Sequence, residues 1–412
     1  MQKFEGVVIP MKPTSTSIKL LAGNENYDEM PHLKPLVPFD DTVISFFDEL
    51  SMILMKHPQG RDFPDVITFG FFIRKANIKR QMKSYTCLRS NVGRGVSFHI
   101  APSNVPINFA FSLAVGLLSG NACIVRVSSK SFPQTDIVSD AISSVLEKSK
   151  FSDLKRYISI VRYQRNNEIN NFFSSLCDIR VIWGGDNTIS ELRKSPLPPR
   201  SFDITFADRY SFCIIKAEEY LDMQNKKKIA IDFYNDTYLF DQNACSSPRL
   251  IYWVGSAKLV SQAKEFFWSF LHEALIDKKY KLQSMTAINK YTASCQSALD
   301  YNNVEIPKVL DNLISRIELK NLPEDLPERT CGGGSYFEYT DDEPDKLFDI
   351  VSRKFQTLTY IGYTRSELNS LFIGKGALGI DRIVPCGKAA EFSLIWDGYD
   401  LISHMSRVVS ID

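Results

Sequence analysis

The sequence predicts an α/β protein: a doubly wound, largely parallel sheet followed by a second α/β domain. Three observations predict it. Strand-like and helix-like segments alternate from residue 96 to residue 215, which is the pattern of a parallel sheet covered on both faces. Within that stretch, Val96 to Val127 reads strand, turn, helix, strand, so its two strands should lie parallel across a right-handed crossover. After about Asp232 the texture changes, and a polar loop opens a second strand–helix alternation.

Residues 1–60 combine a strand-like run, Gly6 to Ile9, with a helix over Asp41 to Met55. Val43, Ile44, Phe46, Phe47 and Leu50 share one face of that helix at a period of about 3.6, and Asp40 or Asp41 is placed to cap it. A second helix is predicted over Asp65 to Lys83. Val96 to Ile100 is a short apolar strand, and Ala101 to Pro106 is a turn in which Pro106 suits the first turn of a helix. Ile107 to Ser119 is that helix, closed by Gly120-Asn121 as a left-handed cap. Ala122 to Val127 is a β-branched strand. There follow a helix (Thr135 to Lys148), a strand (Tyr157 to Arg162), a helix (Glu168 to Leu176) and a strand (Ile179 to Trp183) that runs into Gly184-Gly185. Asn187 or Thr188 opens another helix, and Phe212 to Ile215 is a further strand. Beyond the loop Asp241 to Pro248 come the strand Leu250 to Val254 and an amphipathic helix, Ala257 to Ile276. Leu319 to Arg329 is charged and carries two prolines, and reads as surface loop. The expected domains are 1–231, 232–379, and a segment 380–412 that returns to the first domain or makes an oligomer contact.

A chain of 412 residues with 44% apolar and 24% charged residues is a soluble globular protein of two or three domains. Lys plus Arg is 49 and Asp plus Glu is 48, so the basic excess of a nucleic-acid binder is absent. The eight cysteines are spread singly, which argues against a zinc site and for reduced thiols in a cytoplasm. The five histidines form no metal-binding pair, and no metal is expected. Lys3, Glu5, Pro10 and Lys12 interrupt any signal-peptide core in Met1 to Leu20. Gly95 to Val125 lacks Lys, Arg, Asp and Glu. Pro102, Asn104, Pro106, Asn108, Gly120 and Asn121 break it into buried elements rather than a membrane span.

Gly374-Lys375-Gly376-Ala377-Leu378-Gly379 matches GxGxxG in letters only. A strand-like run, Ile380 to Pro385, follows it where a helix should open, so it reads as a loop. There is no GxxxxGK[ST] phosphate loop and no GxSxG elbow. Asp241-Gln242-Asn243-Ala244-Cys245-Ser246-Ser247-Pro248 is different. It places a cysteine among small polar neighbours just before a strand, where a carbonyl can approach and backbone N–H groups can meet an oxyanion. The bland alternative is a buried structural thiol. Asn104 lies in a strand-to-helix turn on the carboxyl edge of a parallel sheet, where ligands bind. It can donate to an oxyanion or simply tie its own turn.

Together these segments resemble the aldehyde dehydrogenase superfamily and, within it, the fatty acyl-CoA reductases of the bacterial bioluminescence type. The resembling pieces are Gly93 to Pro106, Asn243 to Pro248 and the tail Trp396-Asp397-Gly398-Tyr399-Asp400-Leu401. The resemblance implies two doubly wound α/β domains with the active site between them. It places Cys245 as nucleophile and Asn104 as oxyanion donor beside the Cys245 N–H. Pro102, Ser103, Arg126, Ser129, Trp183, Gly184, Gly185 and Thr188 fall at cofactor-binding positions. Ser129 stands where NAD-specific members often carry a Glu. A neutral residue there beside Arg126 suits a 2′-phosphate, and hence NADPH. Phe206 stands where aldehyde-oxidising members carry a water-activating Glu, with Asp208 as the out-of-register alternative.

The implied activity is NADPH-dependent reduction of a fatty acyl-CoA, or another acyl thioester, to the aldehyde through a cysteine acyl-enzyme. The acyl donor is CoA or a protein, with an acyl-protein synthetase and a homo-oligomer as implied partners. The rival readings are an aldehyde-oxidising dehydrogenase and a non-catalytic acyl-carrying or scaffold subunit.

Overall fold

The computed structural model describes residues 17–85, 88–301, 304–307 and 311–411. The run Gly6 to Ile9 and Cys87 lie outside them. The chain forms two units, one built from residues up to Ala207 together with those from Phe392 onward, the other from Asp208–Glu391.

The first unit is organised on six strands: β1 (Lys19–Gly23), β2 (Val96–Ile100), β3 (Ala122–Val127), β4 (Ile158–Arg162), β5 (Ile179–Trp183) and β6 (Phe202–Phe206). They lie in the order β1-β4-β3-β2-β5-β6. All pairs are parallel except β1 against β4. Cys123, Val125 and Val127 face one apolar cluster, while Ala122 and Ile124 face another on the opposite side. That is why the strand is apolar throughout rather than alternating.

Helix α1 (Asp41–Met55) begins where the Asp40 carboxylate accepts the N–H groups of Thr42 (2.8 Å) and Val43 (3.3 Å). The single helix expected over Asp65 to Lys83 is two, α2 (Pro64–Phe72) and α3 (Lys75–Met82). Arg74 is extended between them. Asp48 of α1 accepts the Lys75 N–H at 3.2 Å, and Asn77 closes back on the Phe72 carbonyl at 2.7 Å. Helix α4 (Asn108–Leu118) is buried along nearly all its length. It ends at Gly120, φ +86°, where a Cβ would fall 2.2 Å from the Leu36 carbonyl oxygen, so only glycine fits. Helices α5 (Pro133–Leu146), α6 (Asn167–Leu176) and α7 (Asp186–Leu192) complete the covering layers.

The second unit has strands β7 (Tyr210–Lys216), β8 (Pro248–Val254), β9 (Ser315–Glu318), β10 (Ser335–Asp341), β11 (Phe355–Ile361) and β12 (Arg382–Pro385). Their order is β9-β10-β8-β7-β11-β12, parallel throughout. Helices α8 (Lys226–Thr237), α9 (Ala257–Asp277) and α10 (Ser284–Asp300) accompany it.

The alternation expected to make one sheet over 96–215 therefore spans two. Strand β7 bonds to β8 and β11, and the units divide after Ala207 rather than at 231/232. Residues 380–391 stay with the second unit, and the chain rejoins the first only from Phe392. There the Asn121 carboxamide donates to the Met405 carbonyl (2.8 Å), and Ser406–Val408 pairs antiparallel with Asn91–Gly93. The expected surface loop Leu319 to Arg329 is pinned by Leu319 and Leu326, both buried. Gly374 to Gly379 leads into a strand, not a helix. Among the described residues no helix is long and apolar enough to cross a membrane, and no group of three or more His, Cys, Asp or Glu could hold a metal ion.

Candidate active site

In the first sheet the chain moves from β2 to β3 on one side and later fills β5 on the other. The crevice at the carboxyl ends of β2 and β5 is thus a topological switch point, where open α/β sheets take ligands. The sequence-derived candidates of this unit fall around it. Pro102, Ser103 and Asn104 follow β2, with Asn104 exposed on the turn before α4. Arg126 and Ser129 lie at the end of β3. Trp183 ends β5, Gly185 is the N-cap of α7, and Thr188 sits exposed in its first turn.

Arg126 lies with its Cζ 4.8 Å over the Tyr163 ring. Its Nε is buried and has no hydrogen-bond partner among the described residues. Ser129 beside it is exposed and neutral. An orphaned guanidinium N–H with no carboxylate at the neighbouring candidate position fits an anionic ligand group. Gly184 brings the turn close to α7, since a Cβ there would stand 3.1 Å from the Thr188 methyl.

Trp183 is a support rather than a free surface. Its ring stacks on Phe206 at 3.7 Å and 15°, and its Nε1 donates to Ser112 Oγ at 2.9 Å. His99 Nδ1 lies 2.7 Å from the same hydroxyl and Nε2 2.8 Å from Ser97 Oγ. Burial pushes the His99 imidazole down to about 3, so it stays neutral. This chain from β2 through α4 to β5 fixes the start of the Trp183-Gly184-Gly185 turn. Phe206 is buried in that stack, while Asp208 is exposed.

In the second unit Cys245 lies at the amino end of β8. The loop reaches it through two left-handed residues, Asp241 (φ +50°) and Gln242 (φ +59°). Gln242 is fully buried. Its Nε2 donates to the carbonyls of Pro248 (2.8 Å) and Ser335 (3.0 Å), and its Oε1 accepts the N–H groups of Gly334 (3.0 Å) and Ser335 (2.9 Å). One carboxamide thus sews the cysteine loop to the start of β10. Ser211 Oγ donates to the Cys245 carbonyl at 2.7 Å, and Ser247 N–H to that of Ala244 at 3.0 Å.

Arg249, four residues on, is buried and donates from Nη1 to the Gln242 carbonyl at 2.9 Å. Its Nε has no partner among the described residues. Burial lowers the pKa of this guanidinium, opposed by the negative charge that Tyr210, Cys245 and Cys331 can carry. A buried guanidinium is therefore anchored in the loop that carries the half-buried Cys245. Cys123, Cys177 and Cys213, in contrast, are buried with their thiols pushed up by desolvation, which makes them inert. Sequence reasoning missed Arg249 and the role of Gln242. The available signal was a basic residue at the very start of an apolar strand, just after the cysteine.

The fold these units build is that of the aldehyde dehydrogenases. An NAD-dependent benzaldehyde dehydrogenase from Corynebacterium glutamicum matches with a TM-score of 0.60 at 10% identity, covering 98% of both chains. Aldehyde dehydrogenase 21 from Physcomitrella patens, solved with the product succinate, matches at 0.59 and 12% identity, over 88% of this chain and 81% of that one. The family model for acyl-CoA reductase (LuxC) matches residues 70–304, more than half of the chain, and the protein belongs to that family. A long-chain acyl-protein thioester reductase of Photorhabdus luminescens is 29% identical over 167 residues, 40% of this chain. The match spans about a third of that relative's length (32%).

Proposed function

We propose that this protein reduces an acyl thioester to an aldehyde through an acyl-enzyme on Cys245. The observation that carries the reading is Cys245 itself, half-buried in a loop stitched by the Gln242 carboxamide and by the buried Arg249 guanidinium on the Gln242 carbonyl. Family membership and the likeness to the acyl-protein thioester reductase of Photorhabdus luminescens support it. The Cys245 sulfur attacks the thioester carbonyl. The carbon–sulfur bond to the donor breaks, and the donor thiol leaves with a proton. Arg249 favours negative charge on Cys245 before attack. Asn104 donates to the carbonyl oxygen as it gains charge, with the Cys245 N–H as second donor. When bound along Pro102, Ser103, Arg126, Ser129, Gly184, Gly185 and Thr188, with Trp183 holding the glycine turn, a reduced nicotinamide supplies the hydride. Arg126 next to the neutral Ser129 favours NADPH. The aldehyde leaves as the Cys245 sulfur takes back its bonding pair. Phe206 in place of a carboxylate favours reduction over oxidation, because a buried aromatic ring at that position cannot activate water. The acyl donor is a fatty acyl-CoA or an acyl-protein, the latter supplied by a synthetase partner.

The test is nicotinamide oxidation with tetradecanoyl-CoA as donor, run with NADPH and with NADH, beside Cys245→Ala. Thioester-dependent oxidation that prefers NADPH and vanishes in the variant is expected. An acyl adduct that persists in Cys245→Ala would move the nucleophile elsewhere.

A further inference from the structure

A cavity of about 430 Å³ opens in the second unit beside the cysteine loop, within the size range of ligand sites. Asp241 and Asn243 of the loop form one wall, Gln283, Asn289 and Gln296 another, and Cys331 a third. It lies on the same sheet edge as the nucleophile. Cys331 leads into β10 as Cys245 leads into β8, and these strands are neighbours. The floor is fixed, since the Gly333 N–H donates to the Asp241 carbonyl at 2.8 Å and Gln242 holds Gly334 and Ser335.

The walls are polar but almost without charge. Asp241 is their single carboxylate, and its Oδ1 accepts the Tyr280 hydroxyl at 2.7 Å. Burial pushes the Cys331 thiol up, so it presents a neutral surface. Each carboxamide offers both a donor and an acceptor. Asn289 and Gln296 stand seven residues, about two turns, apart on one face of α10. Among the described residues the side chains of Gln283, Asn289 and Gln296 make no hydrogen bond to protein. The ligand such walls suit is neutral, carries groups that both donate and accept, and ends near a thioester-reactive sulfur.

The geometry points to the pantetheine arm of the acyl donor: two amides and a hydroxyl, ending in the sulfur that carries the acyl group. This rests on the thioester reading above and adds to it a site for the donor's arm. CoA and the prosthetic group of acyl carrier proteins share this arm.

The test is single-turnover acylation of the full chain, followed by intact mass, with two donors. S-tetradecanoyl pantetheine has the whole arm; S-tetradecanoyl-N-acetylcysteamine keeps one amide and the sulfur. Wild type should acylate about tenfold or more faster from the first, as expected for several added hydrogen bonds. In the double variant Gln283→Leu/Asn289→Leu, both positions exposed, the ratio should fall towards one. Partial misfolding would lower both rates and leave the ratio alone. A ratio near one in wild type, or one preserved in the variant, overturns the proposal. If neither donor acylates the protein, the acyl-enzyme reading fails, and calorimetry with free pantetheine decides the cavity. Binding heat lost in the variant supports it, and no heat in wild type overturns it. The source of the arm follows from tetradecanoyl-CoA and a tetradecanoyl carrier protein. The donor whose acylation slows in the variant supplies it, and slowing of neither overturns the proposal.

Discussion

Both sheets have six strands and a switch point, yet their candidate residues lie at opposite ends. In the first unit the candidate residues gather at the carboxyl ends of β3, β2 and β5, most of them on turns, together with an Arg126 Nε that has no partner among the described residues. In the second, the candidate nucleophile Cys245 stands at the amino end of β8, in a loop braced by a buried carboxamide and a buried guanidinium. The carboxyl-end rule follows from crossover geometry, which leaves a crevice where neighbouring connections diverge. It says where a preformed cleft lies, not where a reactive side chain must be. A nucleophile can sit at the other edge if its loop is held by interactions the crossovers do not provide. The second unit provides them through Gln242, Ser211 and Arg249.

The difference can be broken by substitution. Asn104→Ala, at the carboxyl-end turn, should slow reduction on the order of a hundredfold or more with the melting temperature little changed. Turnover at the wild-type rate would take Asn104 out of the chemistry. Arg249→Gln, at the amino-end site, should slow acylation of Cys245 about tenfold and move its iodoacetamide reactivity to higher pH. An unchanged pH profile would reduce Arg249 to a packing role.

The smallest effect concerns stability. Asp236 is buried and accepts the N–H groups of Gly387 (2.6 Å) and Ala389 (2.7 Å). Burial raises its carboxyl from 3.8 to about 7, against the pull of those N–H groups and of Arg382. The folded state therefore binds this proton more tightly than the unfolded chain. The contribution is present below about pH 4 and lost as pH rises through about 7. The advantage of wild type over Asp236→Asn in urea midpoint should shrink between pH 5 and pH 8, and a constant gap would refute the assignment.

Much of this was legible from residues alone. The strands Val96–Ile100, Ala122–Val127 and Ile179–Trp183 and the helix Asp41–Met55 fall where periodicity and turn residues put them, because their apolar runs are long and clearly punctuated. The change of sheet was not legible. β6 and β7 are apolar strands separated by only Ala207-Asp208-Arg209, and pairing partners alone tell them apart. Arg249 was hidden for a similar reason, since a strand residue's burial is a property of its neighbours. The cavity draws its walls from 241–243, 283–296 and 330–332, a convergence no local pattern records.

The return of the chain to the first unit has a consequence during synthesis. Trp396, Leu401, Ile402 and Met405 are core residues of a unit whose other strands end at Phe206. Asn121, which receives them by donating to the Met405 carbonyl, is made nearly three hundred residues earlier (284 positions). A ribosome that has finished all of the first sheet has still not delivered the pieces that close its core. The second unit, one continuous stretch of chain, has no such wait. Maturation should therefore run against the order of translation, with the later-made unit complete first and the earlier-made one sealed by residues that emerge only after it.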